Sequence, residues 1–298
     1  MIWEKTWPRQ AIDNPHWRSL LARAGANRLR RWEARGVPPP IGLAPRFGRR
    51  TPWYRDRPKR NGSQAKNVFQ LALADALGVR GIELVVGGSM GGLQALEWAL
   101  LDPDRVQAVA SIAASGRHSA RCILWSEAQR LALAADPKFR QGEYDPADPP
   151  IAGLAAARAV AMISYRSPEA LQRRFGRARG EEVFAGRAHN PNDFAVSGWL
   201  QYHGRALVER FDANSYRTLL DAMDTHDLSR GRGRYAEVLA GIRQPILVGS
   251  IGSDMLYVSE EQRTLTAHLR RVRLVVVDSI HGHDGFLIDA ARARSLRS

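Results

Sequence analysis

The sequence holds one cysteine, Cys122, among 298 residues. A single thiol excludes an internal disulfide and a cysteine-based zinc site, and it fits a reducing compartment. No apolar stretch approaches the length of a bilayer span, and the N-terminus lacks the apolar core of a signal peptide. His16, His118, His189, His203, His226 and His268 show no metal-ligand spacing with one another, so no metal is expected. Together these shortages lead us to expect a cytoplasmic protein that does not enter a membrane.

Acidic residues are also few, 30 against 44 Lys and Arg, for a net charge of +14. The imbalance is local. Residues 1–80 carry 17 Lys and Arg against 5 Asp and Glu, whereas the other 218 carry 27 against 25. A basic arm attracts phosphate backbones. This one has no aromatic platform at regular spacing and no nucleic-acid motif, so no nucleic-acid partner is expected.

What is present is a core-forming composition, 44% hydrophobic, in a chain long enough for one large α/β domain with an insertion or for two domains. The chain is organised around residues 82–101. Ile82–Val86 reads as a buried strand, Gly87-Gly88-Ser89-Met90-Gly91 follows, and Leu93–Leu101 has helical period. This is G-x-S-x-G between strand and helix, the context of a nucleophile elbow. Gly87 and Gly91 are expected to remove Cβ atoms that would clash in so tight a turn. Ser89 then stands at a helix N-terminus, where backbone N–H groups stabilise a developing oxyanion. The plain alternative is a glycine-rich turn.

Residues 1–67 are rich in Arg, Pro, Trp and Gly and show no strand pattern; Leu20–Trp32 could form a short basic helix. Residues 68–77 read as a helix ended by Gly78, and Val106–Ile112 as the strand after the elbow helix. From 119 to 230 the pattern turns helical: 120–134, 154–163, 168–175, 194–211 and 215–223. Strands return at 245–249 and 272–277, with a helix over 260–269 between them and a closing helix from Gly285. The expected organisation is an unassigned basic segment over 1–67, an α/β core from 68–118 and 231–298, and a helical lid over 119–230.

A nucleophilic serine needs a base, and the base needs an orienting carboxylate. Asp254 follows the 245–249 strand, with Asp278 as a rival at the end of the next strand. His281 and His283 follow that next strand. Loops at strand C-terminal ends are where such sheets place their sites. The plain readings are a turn aspartate and surface imidazoles.

These residues resemble a known family. Gly-Gly-Ser-Met-Gly-Gly-Leu-Gln-Ala-Leu-Glu-Trp (87–98), Ile-Ser-Tyr-Arg-Ser-Pro (163–168), Arg-Phe-Asp-Ala-Asn-Ser-Tyr (210–216) and His-Gly-His-Asp-Gly-Phe-Leu (281–287) are similar to the homoserine O-acetyltransferases of the α/β-hydrolase fold. The resemblance runs from about residue 68 to the end. It implies an α/β-hydrolase fold with a helical lid, and transfer of an acetyl group from acetyl-CoA to the hydroxyl of L-homoserine for methionine biosynthesis. Close relatives use succinyl-CoA, or L-serine as acceptor.

The resemblance also implies the roles. Ser89 is the nucleophile, Asp254 the orienting acid and His283 the base, because the family's catalytic histidine is followed directly by an aspartate, here Asp284. Met90 supplies an oxyanion N–H. Arg158 and Asp284 hold the amino acid, a guanidinium for its carboxylate and a carboxylate for its ammonium. The plain reading of Arg158 is a surface charge on a lid helix. The implied mechanism is ping-pong, with acyl-CoA as co-substrate and no bound cofactor. Family members are often dimers.

Residues 1–67 match none of the strands and the oxyanion loop that precede the elbow in this family. The corresponding expectation is a truncated or frame-shifted start, an open sheet edge and a missing second oxyanion donor, whose loss typically costs about 10²–10³ in rate. Three readings follow: an amino-acid O-acyltransferase, a hydrolase that uses water, and a non-catalytic remnant.

Overall fold

The structure, a computed structural model, describes residues 63–179 and 194–289. Most of the basic segment, with the short helix expected over 20–32, lies outside the described residues. Helix α1 (Ser63–Ala76) begins five residues before the periodic stretch that announces it. It lies against the elbow helix: the Asn67 amide donates to Gln94 O at 2.8 Å, and Trp98 Nε1 donates to Gln70 Oε1 at 2.9 Å.

Strand β1 (Val85–Gly88) leads to α2 (Met90–Leu101), then to β2 (Val109–Ile112). Both strands were expected earlier, from 82 and from 106. Those two positions make only an isolated parallel bridge, Ile82 to Val106. The ladder itself pairs Val85 with Val109 through Gly88 with Ile112, and it continues to the elbow, where Ser89 N donates to Ile112 O at 2.8 Å. Glycine usually weakens a strand. Here the space is needed, since a Cβ on Gly88 would fall 2.4 Å from the Phe286 ring.

Among the described residues, a run of helices follows β2: α3 (Ala120–Ala134), α4 (Ile151–Tyr165), α5 (Pro168–Phe175), α6 (Ala195–Val208) and α7 (Ala213–Asp224). Three start on side-chain caps. Ser119 accepts from Cys122 N, Ser167 accepts from Ala170 N ahead of Pro168, and Asp212 accepts from Ser215 N. Helix α4 contacts both α3 and α6. Leu133, Phe139, Leu154, Ala157, Leu207 and Leu220 form one apolar cluster there, and Met162, Phe175, Ala195 and Trp199 another.

A short helix, α8 (Tyr235–Ala240), precedes β3 (Ile246–Ile251) and was not read from the sequence. Then come α9 (Ser259–Thr266), β4 (Val272–Val277) and a four-residue α10 (Gly285–Ile288). The four strands are parallel and adjacent in chain order, β1-β2-β3-β4. Val109, Ile246 and Val248 pack with Leu96, Ala99, Leu239 and Leu265 in the main core. Alternate residues, Ala110, Leu247 and Val275, belong to a second cluster. The central strands β2 and β3 are buried along their whole length, as both-face burial of a parallel sheet requires. Among the described residues β1 and β4 form the edges, where Val86 and Val276 are exposed. No helix among the described residues is long and apolar enough to cross a membrane, and no group of His, Cys, Asp and Glu among them is arranged to hold a metal.

Candidate active site

Ser89 joins β1 to α2 with φ 54° and ψ −125°, a conformation that L-residues avoid and that elbow nucleophiles adopt. Gly87 makes the turn possible: a Cβ there would fall 2.1 Å from Gly91 O. Gly91 differs from expectation. A Cβ on it would meet nothing within 4 Å among the described residues. The second steric demand falls one residue later, at Gly92, whose Cβ would lie 2.7 Å from the Ala114 Cβ in the loop after β2. The turn is thus closed by the Gly91 backbone and seated by Gly92. Met90 is the first residue of α2, so its N–H belongs to the helix N-terminus beside Ser89.

Asp254 stands in the loop after β3, and His283 in a 3₁₀ turn (Gly282–Asp284) after β4. The structure brings both to Ser89. His283 Nε2 is 2.8 Å from Ser89 Oγ, and His283 Nδ1 is 2.8 Å from Asp254 Oδ2. With Asp254 ionised, Nδ1 donates, which leaves Nε2 to accept from the serine hydroxyl. The Asp254 side chain is fully buried, so its charge needs donors. It has three: His283 Nδ1, and the amides of Leu256 and Tyr257, which donate to Oδ1 at 2.8 and 2.9 Å. The rivals fall away. Asp278 is exposed, and the His281 ring lies 3.9 Å from Asp289, away from Ser89.

Burial alone would lower the pKa of His283. The Asp254 carboxylate, by charge and hydrogen bond, and Asp284 outweigh it, so the net shift is upward. The rings of Tyr165, Tyr257 and Phe286 surround the imidazole at 5.4, 5.6 and 5.6 Å between centroids.

The loop that carries His283 is tied down from two sides. Gly282 has φ 69°, and a Cβ there would lie 2.6 Å from Ser167 N and 2.8 Å from the Arg166 carbonyl carbon. Only glycine fits both demands. Ser167 Oγ donates to Ile280 O, and Gly282 N donates to Ser253 Oγ at 2.9 Å. The junction of α4 and α5 therefore presses on the turn that carries His283.

The structure places the two expected amino-acid contacts near this base but gives them different partners. The Arg158 guanidinium lies 5.2 Å from the centroid of Tyr165, one of the rings against His283. Asp284 pairs with Arg166 at 3.1 Å, a residue that lay inside the quoted Tyr-Arg-Ser-Pro motif without being singled out. His203 also lies close. Burial, then Arg158, Arg166 and Arg174, push its pKa down to about 4, so the imidazole is neutral amid three guanidinium groups. The three guanidinium groups make this part of the site electropositive.

A further buried network went unread in the sequence. His118 Nδ1 donates to Asp224 at 2.9 Å, and its Nε2 lies 3.0 Å from the Tyr257 hydroxyl. Arg130 holds the other oxygen of Asp224 at 2.6 Å. Burial raises the pKa of Asp224, but hydrogen bonds from His118, Ser126 and Arg130 outweigh it and the net shift is downward. His118 thereby fixes Tyr257, whose amide holds Asp254. The residues join three distant parts of the chain, so no local motif announces them.

A family model for the alpha/beta hydrolase fold matches residues 54–290. The homoserine O-acetyltransferase of Trichormus variabilis is 49% identical over 228 residues, 76% of this chain and 61% of that protein. The homoserine O-acetyltransferase of Chlorobaculum tepidum is 42% identical over 254 residues, 85% of this chain and 68% of that protein. The family model and the Chlorobaculum tepidum relative extend the similarity upstream of residue 68, where the motifs had placed its start. A crystal structure of homoserine O-acetyltransferase from Staphylococcus aureus superposes with a TM-score of 0.64 at 28% identity, covering 84% of this chain and 68% of that one. The chain spans about three fifths of the length of the first of these relatives.

Proposed function

We propose, since the chain belongs to the α/β-hydrolase fold family and groups within it with the homoserine O-acetyltransferases, that it transfers an acetyl group from acetyl-CoA to the hydroxyl of L-homoserine. The observation that carries this reading is the continuous line Ser89–His283–Asp254, with 2.8 Å at both joints. Its chemistry is acyl transfer. Ser89 Oγ gives its proton to His283 Nε2 and attacks the thioester carbonyl. The Met90 N–H stabilises the oxyanion, and CoA leaves with the proton from His283. His283 then takes the proton of the acceptor hydroxyl, whose oxygen attacks the acyl-serine and restores Ser89.

Arg158 and Asp284 give the reading its acceptor. A guanidinium and a carboxylate beside the base suit the carboxylate and ammonium of an α-amino acid. They favour transfer over hydrolysis, because water uses neither. The reaction would serve methionine biosynthesis in the cytoplasm.

Intact-mass analysis tests the proposal. Acetyl-CoA without acceptor should leave one acetyl group on the chain, absent in Ser89→Ala. L-Homoserine should discharge it faster than L-serine or buffer does. Discharge at one rate regardless of acceptor would overturn the reading in favour of a hydrolase. Labelling by succinyl-CoA in place of acetyl-CoA would correct the donor.

A further inference from the structure

We infer that Arg166 is a positioning residue that sets Asp284 for the ammonium of the acceptor amino acid, an assignment that rests on the acyltransferase reading above. Arg166 is the C-cap of α4, and the backbone there is pressed against the histidine loop at Gly282. Its guanidinium reaches Asp284 Oδ2 at 3.1 Å, and both side chains are largely shielded, 17% and 19% exposed. Ion pairs in such a setting are screened less by solvent than surface pairs. Taking Oδ2 leaves Oδ1 for a second cation.

Two more observations place Arg166 in this role rather than in packing alone. Its Nε is buried and has no hydrogen-bond partner among the described residues, although a buried guanidinium N–H normally finds one. The residue is thus held where one donor is left unused, with its charge committed to Asp284. Second, Asp284 adjoins the base and acts on it: its charge is one of the influences that raise the pKa of His283. Among the described residues, the groups that face that imidazole include Asp254, Asp284, Tyr165, Tyr257 and the Ser89 hydroxyl.

The test compares two half-reactions. Acylation alone is read from the burst of p-nitrophenolate with p-nitrophenyl acetate, which needs no amino acid. Transfer is read from L-homoserine-dependent CoA release. Losing the shielded ion pair at Asp284, Arg166→Met should raise the KM for L-homoserine by about tenfold or more. The acylation burst should slow by less than about threefold, with its acid limb moved to higher pH because Asp284 is no longer neutralised. Arg166→Lys, which keeps the charge, should recover part of the KM. Arg166→Met combined with Asp284→Asn should be no worse than Asp284→Asn alone. Equal losses in both half-reactions, or additive effects in the double variant, would overturn the assignment and mark Arg166 as a packing residue. An unchanged KM would overturn it too. A wild-type chain with a burst but no dependence on L-homoserine would instead bring down the acyltransferase reading, and this assignment with it.

Discussion

Gly87 and Gly91 are the two glycines of the serine motif, and a Cβ on Gly87 would fall 2.1 Å from the Gly91 carbonyl oxygen, whereas one on Gly91 would touch nothing among the described residues. The pair is therefore not symmetric. Gly87→Ala should collapse the turn, with loss of soluble protein or a large fall in Tm. Gly91→Ala should fold with a Tm at least equal to the wild type, because alanine is favoured over glycine in a helix by about 1 kcal/mol. Thermal unfolding of the two variants checks this; equal losses would contradict it.

The base should titrate above the ordinary histidine value of about 6.5, because Asp254 and Asp284 outweigh the effect of burial. Neutral His283 is the active form, so acylation should rise with pH through that raised pKa. Asp254→Asn removes the main raising influence. It should shift the acid limb to lower pH and lower the rate by about 10³–10⁴, as loss of the orienting acid does in other triads. The stability sign is opposite. A raised folded pKa stabilises the protonated form, so this contribution is complete below about 6.5 and disappears as pH rises through the folded value. A pH–rate profile of both proteins measures the first effect, and urea melts across the same range measure the second.

His118 should matter for stability without touching the serine. His118→Ala leaves the fully buried Tyr257 hydroxyl unpaired and strips a donor from Asp224. Leaving a buried polar group unsatisfied costs about 1–3 kcal/mol. Chemical denaturation should show a loss of that size. Acylation should fall as well, since the Tyr257 amide holds Asp254. Unchanged stability would remove the network from the account.

Arg158 should act on the acceptor and not on the acyl donor. Arg158→Gln should raise the KM for L-homoserine by roughly tenfold or more, as loss of a hydrogen bond to a charged group does. The KM for acetyl-CoA should stay nearly constant. Initial rates with each substrate varied in turn decide between this and a surface role for the residue.

The parts of the site that were legible are those whose chemistry is concentrated in a few adjacent residues. The elbow announces Ser89 through its glycines, and the loops after β3 and β4 carry Asp254 and His283 because strand ends gather such groups. Helix α3 was read at its observed bounds, since Ser119 caps it and its period is regular. Strand β1 was read too early because an apolar run marks burial, whereas the ladder follows register with β2 and continues through two glycines that resemble a turn. Arg166, His118 and Tyr257 were missed for another reason. Their meaning lies in contacts across 118, 106 and 139 positions of chain, which no local pattern records.

The most direct test is CoA release from acetyl-CoA, with and without L-homoserine, by the wild-type chain and by Ser89→Ala. The account predicts release that depends on L-homoserine, yields O-acetylhomoserine in equal amount and disappears in the variant. Release that ignores the amino acid, or that survives loss of the serine hydroxyl, would contradict it.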